Sequence, residues 1–352
     1  MRTRLLVLAL ALGCNSDPVS PQPAVQQTVE VQAPAVTGAW QSLGSFGDAH
    51  HRACTVRAWV PTHAEGARLP LLVVLDGAGA SRWFRVDETL ATLASEGHIE
   101  PWIVLAVESA SDRDAVLART DDQLAGFLTQ VILPAAEAAL PVREGRAQTA
   151  ILGYSLGGLS ALAVAIAAPD RFGRVVAMSP SLWVDERAIM PRVEHAQTLP
   201  LRLWIDVGSA EPDQGDLIPY MVSDARNMRD LALYRGLIFG RDVGYLEAMG
   251  AGHAMHEAGR RMREALLFAL SDRDYRTQPV RSLQIARYPA PSGPGSESST
   301  FAVEARYQDG ARLTWPETLV EVYAGESRMQ RDIAPLRSRL HVEAFGQRAE
   351  TP

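Results

Sequence analysis

Lysine is missing from this chain of 352 residues: all 34 basic side chains are arginines, set against 41 acidic ones for a net charge of -7. The absence excludes a Schiff-base lysine, the phosphate-binding lysine of a P-loop and any serine-lysine dyad. It also means that a serine nucleophile in this chain would have to take its base from histidine. An acidic chain without arginine clusters carries no electrostatic footprint for a phosphate backbone, so no nucleic-acid partner is expected. Cysteine is scarce, at Cys14 and Cys54 alone, too few for a disulfide framework or a Cys-rich zinc site. Aromatic residues make up 7%, which offers no obvious stacking platform for sugar or catechol rings. No internal repeat is evident. What is present, 47% hydrophobic and 21% charged residues, is too apolar for a disordered chain and too charged for a multi-span membrane protein.

The first segment points to export. Arg2 and Arg4 precede the apolar run Leu5 to Leu12, which ends in Gly13-Cys14. A run of that length suits a signal peptide and is too short to span a bilayer. The stretch Ala11-Leu12-Gly13-Cys14 resembles a bacterial lipoprotein cleavage box and predicts removal of residues 1-13 and lipidation of Cys14; ordinary secretion with cleavage elsewhere is the alternative. Asn15 to Pro34 is rich in Ser, Pro, Gln and Ala, so residues 14-37 are read as a flexible tether. The expectation is an exported, membrane-anchored lipoprotein, periplasmic or on the cell surface. Cys54 is then expected as a buried apolar residue at a strand start.

Strands and helices alternate through the middle of the chain. Strands are predicted from about Trp40 and at Thr55 to Val60, then Leu71 to Leu75, a continuous apolar run of the doubly buried kind. A helix follows over Val86 to Ala94, a strand over Trp102 to Val107, and an amphipathic helix whose Leu124, Phe127, Leu128, Val131 and Ile132 share one face. Next come strand Thr149 to Leu152, helix Leu159 to Ala168, strands Val175 to Met178 and Leu201 to Val207, helix Ile218 to Leu233, strand Tyr245 to Met249 and helix Glu257 to Leu270. Such alternation predicts an α/β fold with a mostly parallel central sheet and helices on both faces. Residues 38-270 form this domain. Residues 271-352 change to period-two runs at Leu283 to Tyr288, Phe301 to Tyr307, Leu319 to Tyr323 and Leu340 to Phe345, with a hairpin turn at Asp309-Gly310. This β-rich extension is either a small module or strands added to the main domain's edge, and Pro289 to Ser299 is a long Pro/Gly/Ser loop.

The chemistry converges on Gly153-Tyr154-Ser155-Leu156-Gly157, a G-x-S-x-G between a predicted strand and an apolar helix. Flanking glycines let strand and helix close around a strained serine, which makes Ser155 the candidate nucleophile; as a bare pattern the motif also describes an ordinary tight turn. Chain order in this strand-turn-helix arrangement is serine, acid, histidine. Of the histidines after Ser155, His195 comes before the acid's loop and His341 lies in the β-rich extension. His253, in the glycine-rich loop after Tyr245 to Met249, is therefore the candidate base. His256 is expected on the following helix. The pair His253 and His256 lacks the HExxH pattern, so no metal is expected, and no cofactor. For the acid, Glu211 stands first in the loop after Leu201 to Val207, Asp213 follows it, and Asp206 sits still within the strand. Oxyanion donors are expected at the Leu156 amide and in the loop Asp76 to Gly79.

Together, Leu75-Asp76-Gly77, Gly153 to Gly158, Pro169-Asp170-Arg171-Phe172-Gly173, Ser179-Pro180-Ser181-Leu182-Trp183, Gly208-x-x-Glu211-Pro212 and Gly252-His253 resemble the esterase D group of α/β-hydrolases. Within it the resemblance is nearest to the enterochelin-esterase branch, and it covers about residues 38 to 270. It implies an α/β-hydrolase fold, Ser155 as nucleophile, His253 as base, Glu211 as acid, and Ala78 with Leu156 as backbone oxyanion donors. Asp76, Gly77, Tyr154 and Trp183 are expected at the substrate pocket. The reading that follows is a serine esterase acting on a small-molecule carboxylic ester. Acyl transfer on the same fold and a non-catalytic binding lipoprotein are the alternatives.

Overall fold

The computed structural model describes residues 35-352 apart from 48-52, 64, 110-116, 118-121, 213-219, 290-297, 317-320, 325-326, 330-332, 336-339, 345-346 and 351-352. Cys14 with the whole of the export segment, most of the tether, and Asp213 lie outside the described residues.

A sheet of eight strands organises the molecule, in the order β1-β2-β4-β3-β5-β6-β7-β8. The first two, β1 (Gly38–Gly47) and β2 (Ala53–Pro61), pair antiparallel, and β2 pairs antiparallel with β4 (Ile103–Ser109). From β4 onward the ladder is parallel through β3 (Leu71–Leu75), β5 (Thr149–Tyr154), β6 (Arg174–Met178), β7 (Arg202–Gly208) and β8 (Val243–Ala248). Every residue of β3, β5, β6, β7 and β8 is buried, because helices cover both faces of a parallel sheet. Cys54 is buried in β2.

Chain order reverses between β3 and β5, which lie side by side while β4 lies on the far side of β3. At such a switch point the loops leaving neighbouring strands diverge to opposite faces and open a crevice at the strands' carboxyl ends. Two helices start there: α1 (Gly77–Arg82) and, after α2 (Val86–Ser95) and the following crossovers, α4 (Leu156–Ala167). The stretch Asp76 to Gly79, expected as a loop, is thus the entry and first turn of α1. Asp76 caps it in the left-handed region at φ 62°. The amphipathic crossover, α3, runs from Gln123 to Ala139 and carries a π turn at Leu128–Ile132. The longer of the remaining helices are α5 (Ile189–His195), α6 (Met221–Tyr234) and α7 (Met255–Leu270), beside short turns at Arg146–Gln148 and Val184–Arg187.

The C-terminal extension makes two further antiparallel sheets. In the first, β10 (Ser298–Tyr307) pairs with β9 (Val280–Pro289), β11 (Arg312–Trp315) and β14 (Ile333–Pro335). The second has the order β13-β12-β15-β16 over Ser327–Met329, Glu321–Ala324, Leu340–Ala344 and Gln347–Glu350. Among the described residues neither joins the main sheet's ladder. The first sheet instead packs on it: Phe301, Val303, Ala305, Leu313 and Trp315 belong to the same buried cluster as β7 and β8. Thr314 Oγ1 accepts the Glu247 amide at 2.9 Å, and Arg312 donates to Glu264 of α7 at 2.6 Å.

Candidate active site

Ser155 stands at the turn between β5 and α4 with φ 59° and ψ -119°, a backbone region that costs a non-glycine residue on the order of 1–3 kcal/mol. Neighbouring structure overrides that cost. The Ser155 amide donates to Met178 O at 3.0 Å, and its carbonyl accepts from Ser181 N at 3.0 Å and Leu159 N at 3.2 Å. The glycines are explained by close approach. A Cβ on Gly153 would lie 2.1 Å from Gly157 O, and one on Gly157 would lie 3.0 Å from Asp76 Oδ2. Strand and helix therefore close tightly enough to lift the Ser155 side chain into the crevice.

Three side chains from three strand ends meet there. Ser155 Oγ lies 3.0 Å from His253 Nε2, and His253 Nδ1 lies 2.7 Å from Glu211 Oε2. Glu211 follows β7 in a tight turn in which its own amide donates to Gly208 O at 3.0 Å. Gly208 is required here, since a Cβ would lie 2.1 Å from Ala251 O. His253 lies between β8 and α7, and its ring stacks on Tyr154 with centroids 5.0 Å apart. His253 is partly exposed at 30% of its side chain, whereas the Glu211 side chain has no exposure. A buried carboxylate facing a ring N–H orients the imidazole so that its other nitrogen turns a lone pair to the hydroxyl. Such an arrangement can draw a proton from Ser155 as its oxygen attacks an electrophile.

Of the other candidates, Asp206 is fully buried in β7 and is engaged by Arg261 and Trp204, which donate to it at 3.1 Å and 2.8 Å. His195 pairs with Glu194 on α5, and His256 pairs with Glu257 on the surface of α7. His341 lies opposite Tyr323 in the second C-terminal sheet. Leu156 opens α4, and Ala78 is exposed in the first turn of α1, so both amides lie at helix starts where no intrahelical acceptor exists. Gly77 is buried against β4, where a Cβ would lie 2.9 Å from Ala106 C. Trp183 is half-buried just past Ser181, and Asp76 lies beside Gly157. Among the described residues no group of three His, Cys, Asp or Glu side chains could hold a metal ion.

Two residues of the Ser179 to Trp183 motif, to which the sequence assigns no role, join the site. Ser181 Oγ lies 3.2 Å from Ser155 Oγ, and Ser179 Oγ donates to Glu211 Oε1 at 2.5 Å. Both follow β6, the strand next to β5, and a Ser-Pro-Ser at that strand's carboxyl end was the available signal. Arg261 is the third residue without an assigned role. It occupies a core position between Ala258, Met262 and Ala265 on α7, and a charged residue within an apolar stripe is its mark in the sequence.

Residues 48–242, more than half the chain, match the Esterase family; the span contains Ser155 and Glu211 and ends before His253. The chain is 31% identical over 150 residues to the iron(III) enterobactin esterase of Dickeya dadantii, covering 41% of this chain and 34% of that protein. It is 29% identical over 186 residues to the iron(III) salmochelin esterase of Escherichia coli O6:H1, covering 47% and 44%. The chain thus spans less than half the length of these curated relatives. Among solved structures, an enterochelin esterase from Shigella flexneri superposes with a TM-score of 0.55 at 20% identity, over 67% of this chain and 59% of that one. A ferulic acid esterase does so with 0.54 at 16% identity, over 67% and 98%. At those identities the likeness is one of fold, the α/β-hydrolase fold, to which the C-terminal β-sheets are additional. With the serine turn, the parallel sheet and the matched span all in agreement, the chain belongs to the Esterase family.

Proposed function

We propose that the protein is a serine hydrolase of a small-molecule carboxylic ester, working through an acyl-enzyme on Ser155, His253 and Glu211. The observation that carries this reading is the unbroken line from Ser155 Oγ through the imidazole to Glu211, at 3.0 Å and 2.7 Å. Ser155 Oγ attacks the carbonyl carbon while His253 Nε2 takes the hydroxyl proton. Glu211 stays ionised and stabilises the imidazolium. The negative oxygen that forms is held by the Leu156 and Ala78 amides, whose N–H groups are fixed at helix starts before the substrate arrives. His253 then gives its proton to the leaving alkoxide, leaving an ester on Ser155. Water repeats the sequence, losing a proton to His253 and releasing the acid. Asp76, Gly77, Tyr154 and Trp183 would shape the pocket.

The relatives' names add esters of iron-binding siderophores to the substrates worth testing, and the fold neighbours add feruloyl esters. Export as a lipoprotein anchored at Cys14, periplasmic or on the surface, belongs to the same proposal and rests on the sequence of residues 1-14.

The test is fluorophosphonate labelling together with turnover of short- and long-chain nitrophenyl esters, a feruloyl ester and a siderophore ester. Ser155→Ala and His253→Ala should each lose about four orders of magnitude in kcat at unchanged melting temperature. Equal turnover by wild type and both variants would overturn the reading. For the anchor, Cys14→Ala should move the protein from the membrane fraction to the soluble one.

A further inference from the structure

Behind the three aligned side chains lies a second set, fully enclosed. Arg261, on α7 two turns past His253, has only 2% of its side chain exposed and faces two carboxylates with no exposure, Asp206 and Glu211. Its Nη2 lies 2.9 Å from Asp206 Oδ1 and donates to Ser179 Oγ at 2.7 Å, while remaining 3.7 Å from Glu211 Oε1. Ser179 donates onward to Glu211 Oε1 at 2.5 Å, and the Gly208 amide donates to the same oxygen at 2.7 Å.

Donor chemistry leaves one assignment of the protons. A guanidinium can only donate, so the Ser179 oxygen accepts from Arg261, and the serine's own hydrogen points to Glu211. Every contact described for Asp206 is also with a donor: Arg261, Trp204 Nε1 at 2.8 Å and the Ser179 amide at 3.3 Å. Ser179 is itself held in the left-handed region, at φ 40°, and its amide donates to Asp206 O at 2.9 Å. Glu211 Oε1 is thus occupied by two donors, and Oε2 is left for the imidazole.

We propose that Ser179 is a positioning residue that relays the charge of Arg261 to Glu211 and keeps that buried carboxylate aimed at His253 Nδ1, with Asp206 holding the guanidinium in place. The proposal rests on the esterase reading for its catalytic meaning, but its physical content is a statement about the Glu211 and His253 pair. The charged and titratable groups around that pair are Arg261, Asp206, the Tyr154 phenol and, beside Gly157, the Asp76 carboxylate. Removing a donor or a positive charge that stabilises the Glu211 anion makes the pair easier to protonate, so its apparent pKa must rise.

The experiment uses the full-length protein with nitrogen-15 histidine. In Ser179→Ala the His253 imidazole should titrate roughly one pH unit higher than in wild type. The acid limb of kcat/KM should move up with it, and kcat should fall about tenfold while KM holds. Ser179→Cys, nearly isosteric but a weaker donor, should fall between the two. If Ser179→Ala does not fold, the paired change Asp206→Asn with Arg261→Gln, which removes both charges and leaves the hydroxyl, should shift the titration the same way. An imidazole pKa that stays in place in a folded variant would overturn the proposal. The titration reads the network with or without ester turnover, so its failure is distinct from failure of the esterase reading, which wild-type turnover and Ser155→Ala decide.

Discussion

The two ends of the parallel sheet both bury arginine, and they use it differently. At the carboxyl ends of β5 to β8, Arg261 faces two buried carboxylates and is joined through a hydroxyl to a partly exposed histidine. At the amino ends, Arg174 and Arg202 open β6 and β7 side by side and are buried, each only 6% exposed. Arg174 donates to the carbonyls of Ala147 and Ala269 and pairs with Asp272. Arg202 donates to the carbonyls of Phe268, Arg241 and Arg273 and lies 4.5 Å over the Phe268 ring. These two satisfy the backbone at the end of α7 and the turn before β8, groups that would otherwise be orphaned. Burial, and Arg174 beside it, push the Arg202 guanidinium down to about 10, still charged at neutral pH. A charge surrounded by carbonyl dipoles holds structure together, whereas a charge matched to a titratable pair can tune chemistry.

That contrast can be broken in a graded way. At the carboxyl end, Glu211→Gln should lower kcat by about two to four orders of magnitude with little change in melting temperature, because the amide cannot hold the imidazolium. Asp213→Asn should change kcat less than about twofold, and the reverse outcome would exchange the roles of the two acids. At the amino end, Arg202→Met should do the opposite. Several carbonyls lose their donor, so unfolding free energy in urea should drop by about 2–4 kcal/mol while kcat per folded molecule holds. A variant that kept its stability and lost activity would erase the distinction between the ends.

The smallest effect is expected at His98, also at the amino end, whose Nδ1 accepts from Arg273 at 2.8 Å; Arg273 also pairs with Asp309 of the C-terminal extension. Burial, and then Arg273, hold the His98 pKa below its ordinary value. Between that ordinary value and the lower folded one, the unfolded chain takes up a proton that the folded chain refuses, so stability declines as pH falls through that window. His98→Gln should remove this decline. Between pH 7.5 and 5.5 its melting temperature should fall about one or two degrees less than that of wild type, and an equal fall would show that His98 contributes nothing.

The difference between the ends also explains how much could be read from the sequence. Ser155 and His253 were legible because their surroundings are local: two glycines set by a close strand-helix approach, and a glycine-rich loop before a helix. Glu211 was legible as the first of three candidates, since loop position alone does not say where a carboxylate points. The tertiary fold brings Glu211 to the imidazole and turns Asp206 to Arg261, while Asp213 lies outside the described residues. Ser179 and Ser181 are visible in the sequence only as part of a motif, because their roles depend on β6 lying next to β5. The helix α1 was missed for a similar reason: Gly77-Ala78-Gly79 has poor intrinsic helix propensity, and burial of its glycines against β4 and Phe84 overrides that preference. The C-terminal strands at 280–289, 298–307 and 312–315 follow their period-two pattern, but that pattern could not say which surface they cover.

By itself, then, the sequence determined the strand-helix alternation, the serine turn and the chain order of serine, acid and histidine, because each is set by periodicity and backbone sterics within a few residues. The tertiary structure alone decided which carboxylate meets the imidazole, that a buried arginine stands behind it, and that the extension packs beside β8. Those outcomes depend on groups far apart in the chain, whose burial together has to be compensated by charge and hydrogen bonding that no local pattern records.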